Sequence, residues 1–86
     1  MTRYSISITA SAQRSIARLE KPIQRRIQQA IDRLEETPRP FGAEKMQGEP
    51  NGYRLRVGDY RILYEIGDRE LLVLVVKVGH RREVYR

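Results

Sequence analysis

Residues 53–64 read YRLRVGDYRILY, and this stretch limits the fold more than any other part of the chain. Apolar residues and arginines alternate on both sides of Gly58-Asp59, a two-residue turn signal that predicts an antiparallel hairpin. Such a turn fixes the register, because a slip of one residue would send every side chain to the wrong face. Val57 then opposes Tyr60, Arg56 opposes Arg61, Leu55 opposes Ile62, Arg54 opposes Leu63 and Tyr53 opposes Tyr64. One face gathers Tyr53, Leu55, Val57, Tyr60, Ile62, Tyr64 and Ile66 and reads as core. The other sets Arg56 directly against Arg61, with Arg54 one step along.

Like charges opposed across a sheet cost up to about 1 kcal/mol. The pattern makes sense when an anion lies over that face, and phosphate fits best, since guanidinium forks match its oxygens in pairs. The alternative is a solvated strand face on which long arginines splay apart. Glu65 shares this face and is expected to pair with a nearby arginine.

The remaining segments supply a partner layer. YSISIT alternates over Tyr4, Ile6 and Ile8 and predicts a short first strand. Ser11 is a candidate cap for a helix to about Leu19, with Ile16 and Leu19 inward. Pro22 stands near the start of a second helix, where its missing N–H costs little. Ile23, Ile27, Ala30, Ile31 and Leu34 recur there at helical spacing and make one apolar stripe. Lys21, Arg25, Arg26 and Arg33 fall mostly off that stripe. TPRP ends the helix, and residues 41–52 read as loop. Strands follow at about 53–57, 60–66 and 70–78, with a second turn at 67–70 and a short tail from His80. If Ile66 pairs with Leu71, Val73 and Val75 join the core face. Leu72, Leu74, Val76 and Val78 then point to the arginine side, where the tail or a partner must cover them.

The order is β-α-α-β-β-β. It predicts an α+β domain over residues 1–86, a helical hairpin packed on a small antiparallel sheet. The 86 residues suffice for one domain, and no repeat, low-complexity tract or linker interrupts them. With 17 Lys and Arg against 11 Asp and Glu, the net charge of +6 favours a polyanionic partner. The lack of cysteine removes disulfides and thiolate metal sites and fits a reducing cytoplasm. No motif suggests a metal or another cofactor. MTRYSISITASAQ lacks the apolar core of a secretory signal, and the longest apolar run, LLVLVV, is far too short to span a membrane.

The tail, VGHRREVYR, adds His80, Arg81, Arg82, Tyr85 and Arg86 beside the arginine face. An aromatic among arginines suits single-stranded nucleic acid, where a base can stack on the ring. Tyr85 packed into the core is the alternative. His80 has the one side chain whose ordinary pKa suits acid–base work near neutrality, although a histidine in a basic tail is commonly just solvated.

YRLRVGDYRILY followed by VGHRREVY, with KMQGEPNG before it, resembles the RelE/ParE superfamily of toxin–antitoxin systems over nearly the whole chain. The resemblance implies a RelE-like fold and a toxin neutralised by a cognate antitoxin, through which its oligomeric state is set. In RelE-type members it implies a ribosome-dependent endoribonuclease that cuts mRNA in the A site. The ribose 2′-OH attacks the adjacent phosphate and leaves a 2′,3′-cyclic phosphate. ParE-type members keep the fold but inhibit DNA gyrase. A nucleic-acid or ribosome-binding module without chemistry is a third class. By position, the resemblance places Arg54 and Arg56 where RelE-type enzymes often carry lysines. Arg61 falls on their strand arginine, Arg81 on the residue that protonates the leaving 5′-oxygen, and Tyr85 on the stacking tyrosine. His80 is a possible acid or base. Arg54 is a poor base, because a guanidinium stays protonated up to a pKa above about 12.

Overall fold

A computed structural model describes residues 3–84, with side chains through Arg82; Tyr85 lies outside them. Five strands form one sheet: β1 (Ser5–Ile8), β2 (Glu44–Lys45), β3 (Gly52–Val57), β4 (Tyr60–Gly67) and β5 (Leu72–His80). Their spatial order is β1-β5-β4-β3-β2. Helices α1 (Ala10–Ala17) and α2 (Lys21–Arg33) form the hairpin between the first two strands, and α3 (Arg81–Val84) ends the described chain. The α+β class and the helical hairpin on a mostly antiparallel sheet match the sequence expectation. One pair departs from it, since β1 runs parallel to β5. The long connection through α1 and α2 permits this arrangement, and it leaves β5 flanked by β1 and β4 rather than at the sheet edge.

The hairpin register is the expected one, from Tyr53 opposite Tyr64 to Val57 opposite Tyr60. Gly58 supplies the positive φ of +61° that the tight turn requires. The next connection corrects the reading. Asp68 to Leu71 form a longer turn, with Leu71 in the left-handed region at φ +53°. Ile66 therefore pairs with Val73 rather than Leu71. The shift is two residues, so faces are conserved: Val73 and Val75 are buried in the core, while Leu72 and Leu74 point to the arginine side.

Farther along, the register shifts between Leu63 and Tyr64, leaving Val76 as a bulge. An extra residue inverts the alternation. Val78 consequently pairs with Ile62 and is buried in the core, not on the arginine side, while Lys77 and Gly79 take that side. The bulge is tied to α1. Thr9 caps the helix by accepting the Ala12 N–H at 3.1 Å, and its hydroxyl donates to the Val76 carbonyl at 3.2 Å. Thr9, not Ser11, is thus the N-cap.

Buried Ala12, Ile27, Ile31 and Leu34 from the helices meet Ile62, Tyr64, Ile66, Val73, Val75 and Val78 from the sheet. The apolar stripe of α2 packs as its spacing predicts, with Pro22 in the first turn. All of this lies on one side of the sheet, so the arginine side carries no helical layer from α1 or α2. Among the described residues no helix is long and apolar enough to cross a membrane.

Candidate functional site

The hairpin projects Arg54, Arg56 and Arg61 from one face, with Arg56 and Arg61 in direct register. Gly79 stands opposite Arg61 on β5. Arg61 is half-buried, and its Nη1 is shielded from solvent. Arg56 is exposed. A cleft of about 360 Å³ joins Arg54, Arg56, Arg61, Glu44 and Phe41.

Glu44 is new to the site. It lies in β2, a two-residue strand inside the segment expected to be loop, and it pairs in register with Arg54. The Arg54 Nε donates to Glu44 Oε1 at 2.8 Å. The pair is open to solvent on the acid side, with 64% of the Glu44 side chain exposed against 34% of Arg54. Exposed pairs are worth about 0–1 kcal/mol, so a phosphate can displace the carboxylate. Glu65, the acid expected to pair with an arginine, sits opposite Gly52 and Leu74 and makes no ion pair among the described residues.

The tail divides. The Arg81 N–H donates to the Asp59 carbonyl at 2.8 Å, which pins the start of α3 to the turn that carries Arg56 and Arg61. Its side chain is exposed. His80 pairs with Tyr60 on the helix side of the sheet, its ring edge-on at 5.5 Å, and its Nδ1 accepts the Arg82 N–H at 3.3 Å. The strands therefore bring Arg54, Arg56 and Arg61 together and set His80 on the opposite face. Tyr85 lies outside the described residues. Among the described residues no cluster of three or more His, Cys, Asp or Glu is placed to hold a metal ion.

A second polar cluster, outside the cleft, fixes the 38–43 loop. Arg39 donates to both Asp68 oxygens, at 3.2 and 2.8 Å, and through Nε to the Tyr53 hydroxyl at 3.0 Å. Its guanidinium also lies over the Tyr53 ring, 5.2 Å from the centroid. The Tyr4 hydroxyl donates to Asp68 at 2.7 Å. The Arg39 hydrogen bonds first, and the Tyr4 bond second, hold the Asp68 carboxyl below its ordinary range. The Tyr64 hydroxyl donates to the Pro38 carbonyl at 2.8 Å, and its ring stacks on Tyr53. Burial, with Tyr53 adding to it, pushes the Tyr64 phenol up to about 12.

Residues 6–85 match the family model described as ParE toxin of type II toxin–antitoxin system. Toxin RelG of Mycobacterium tuberculosis is 29% identical over 84 residues, covering 96% of this chain and 97% of RelG. The mRNA interferase toxin RelE of Escherichia coli K12 is 29% identical over 86 residues, covering 95% of this chain and 90% of RelE. The archaeal RelE–RelB complex of Pyrococcus horikoshii OT3 contains a similar chain, with TM-score 0.82 and 30% identity over 94% of this chain and 97% of that one. The RelBE2 toxin–antitoxin complex of M. tuberculosis gives 0.81 and 28%, covering 94% of each chain. The family match spans the helical hairpin, the arginine strands and the basic tail together, and on that ground the chain belongs to the RelE/ParE superfamily of type II toxin–antitoxin toxins.

Proposed function

We propose that this toxin is a ribosome-dependent endoribonuclease that cuts mRNA in the A site. The observation that carries the reading is the opposed Arg56–Arg61 pair in one cleft with Arg54 and Glu44. Arg56 and Arg61 clamp the non-bridging phosphate oxygens, where negative charge builds in the transition state. The phosphate also competes for Arg54, which releases Glu44. A carboxylate can take a proton that a guanidinium cannot, so Glu44 removes the proton of the ribose 2′-OH. The 2′-oxygen bonds to phosphorus and the bond to the 5′-oxygen breaks, leaving a 2′,3′-cyclic phosphate. Arg81 gives a proton to the departing 5′-oxygen, an alkoxide basic enough to accept one from a guanidinium. Tyr85 stacks on a base beside the cut. The name of the E. coli relative, an mRNA interferase, supports the same chemistry.

The relatives solved with RelB support a cognate antitoxin as the protein partner. On this chain its apolar contacts fall on Leu63, Leu72 and Leu74, which are half-buried on the arginine side of β4 and β5. An acidic, partly helical segment laid there would also neutralise the arginines.

Purified protein is mixed with programmed ribosomes and, in parallel, with free mRNA. New ends carrying 2′,3′-cyclic phosphate appear only with ribosomes. Arg81→Ala abolishes them, and Glu44→Gln slows cleavage on the order of 10²–10⁴-fold. The match to a ParE model gives the second reading, a gyrase inhibitor. Inhibition of DNA supercoiling with no RNA ends in either arm would replace the ribonuclease by that reading.

A further inference from the structure

The basic surface does not stop at the strand cleft. β2 pairs only with Tyr53 and Arg54, so residues 55–57 of β3 form a sheet edge. Between this edge and α2 runs a second cleft of about 430 Å³, lined by Arg26, Arg33, Phe41, Leu55, Arg56 and Gly58 among others. Arg26 and Arg33 lie two helical turns apart, roughly 10 Å along the axis, on the exposed side of α2. The Arg26 guanidinium covers the hairpin turn: a Cβ on Gly58 would stand 3.3 Å from its Nη2. No carboxylate lines this cleft, and among the described residues Arg26, Arg33 and Arg56 have no ion-pair partner. In the strand cleft, by contrast, Arg54 is held by Glu44.

Phe41 stands between the two clefts and lines both. It is the chain's one phenylalanine, and it is fully exposed. Its loop is built rather than loose. The Ala43 N–H donates to the Pro40 carbonyl at 3.0 Å, and Gly42 takes the φ of +95° that a type II turn needs at its third position. Phe41 occupies the corner of that turn, backed by the Tyr64–Pro38 bond and the Arg39–Asp68 pair. A rigidly presented aromatic between arginine clusters fits single-stranded nucleic acid, whose bases all offer a π-face and whose phosphates match guanidinium groups. A protein partner is better served elsewhere, because the apolar residues of the outer sheet face, Leu63, Leu72 and Leu74, are on β4 and β5 and do not line this groove.

We infer that the groove between α2 and the β3 edge is a second subsite for single-stranded RNA. Phe41 stacks on a base, and Arg26 and Arg33 hold phosphates of the strand that leaves the Arg56–Arg61 cleft. This rests on the reading of that cleft as an RNA site. The test is fluorescence anisotropy with a labelled single-stranded RNA of about twelve nucleotides, across a salt series, on purified full chain. Thermal unfolding confirms that each variant is folded. Phe41→Ala weakens binding roughly tenfold, the loss of one stacked base, with an unchanged salt slope. The double variant Arg26→Gln/Arg33→Gln flattens the slope of log K against log salt by about 1.4, or about 0.7 for each phosphate contact. If both bind like wild type while Arg61→Gln loses affinity, the groove is not a subsite and the cleft reading survives. If the groove variants weaken and Arg61→Gln does not, the groove binds RNA and the cleft reading falls. Equal loss of polyglutamate binding in Phe41→Ala would overturn RNA in favour of an acidic protein.

Discussion

A guanidinium is already protonated at any pH that proteins tolerate, so Arg54, Arg56 and Arg61 alone make an anion clamp with no base. Glu44 changes what the cleft can do. It was not legible in the sequence, because two residues carry no periodicity, and a glutamate in GAEKM looks like any solvated acid. Arg56 and Arg61 were legible, because the Gly58-Asp59 turn fixes their register. Phe41 left a faint signal: an aromatic between Pro40 and Gly42 sits in turn chemistry that resists burial. Tyr64 makes stability depend on pH in the alkaline range. Its folded phenol titrates near 12 against an ordinary 10.0. Its contribution is therefore complete below about pH 10 and is lost as pH rises through the folded value. Urea midpoints taken between about pH 9 and 12 should fall more steeply for wild type than for Tyr64→Phe. At neutral pH the variant should lose about 1 kcal/mol with the Pro38 hydrogen bond. Parallel pH curves for the two proteins would refute this role.

At the scale of elements, the β5 bulge decides which valines are core. Alternation alone places Val76 and Val78 on the same face, because period two admits no interruption. The sequence LVLVVKVG contains no glycine or proline at Val76 to mark the irregularity. Its cause is tertiary: the Thr9 hydroxyl takes the Val76 carbonyl while capping α1. Substitution separates the two positions. Val78→Thr puts a hydroxyl among core side chains and should cost about 1–3 kcal/mol. Val76→Thr, half-exposed on the bulge, should cost clearly less. Urea midpoints at constant m-value read the difference, and equal costs would contradict the bulged register. The Leu71 turn teaches a related lesson. GDRE predicts a turn over 67–70, but a leucine in the left-handed region extends it to Leu71, and nothing about leucine announces that conformation.

On the scale of the whole molecule, the helices cover one side of the sheet and leave the other divided. Arg54, Arg56 and Arg61 make it basic around the β3–β4 hairpin, and Leu63, Leu72 and Leu74 give it an apolar patch on β4 and β5. The hairpin and the helical stripes made the α+β class readable. The parallel pairing of β1 with β5 was not readable, since a short alternating strand fits either edge of a sheet in either direction. That arrangement gives the proposed RNA substrate and the antitoxin different parts of one face. The proposed function requires that the opposed arginines hold the scissile phosphate. Cleavage rates on programmed ribosomes test this most directly, comparing wild type with Arg61→Gln and checking both by thermal unfolding. A folded Arg61→Gln protein that cuts on the order of 10²–10³-fold more slowly is the predicted result. A folded Arg61→Gln protein that cuts at the wild-type rate would contradict it.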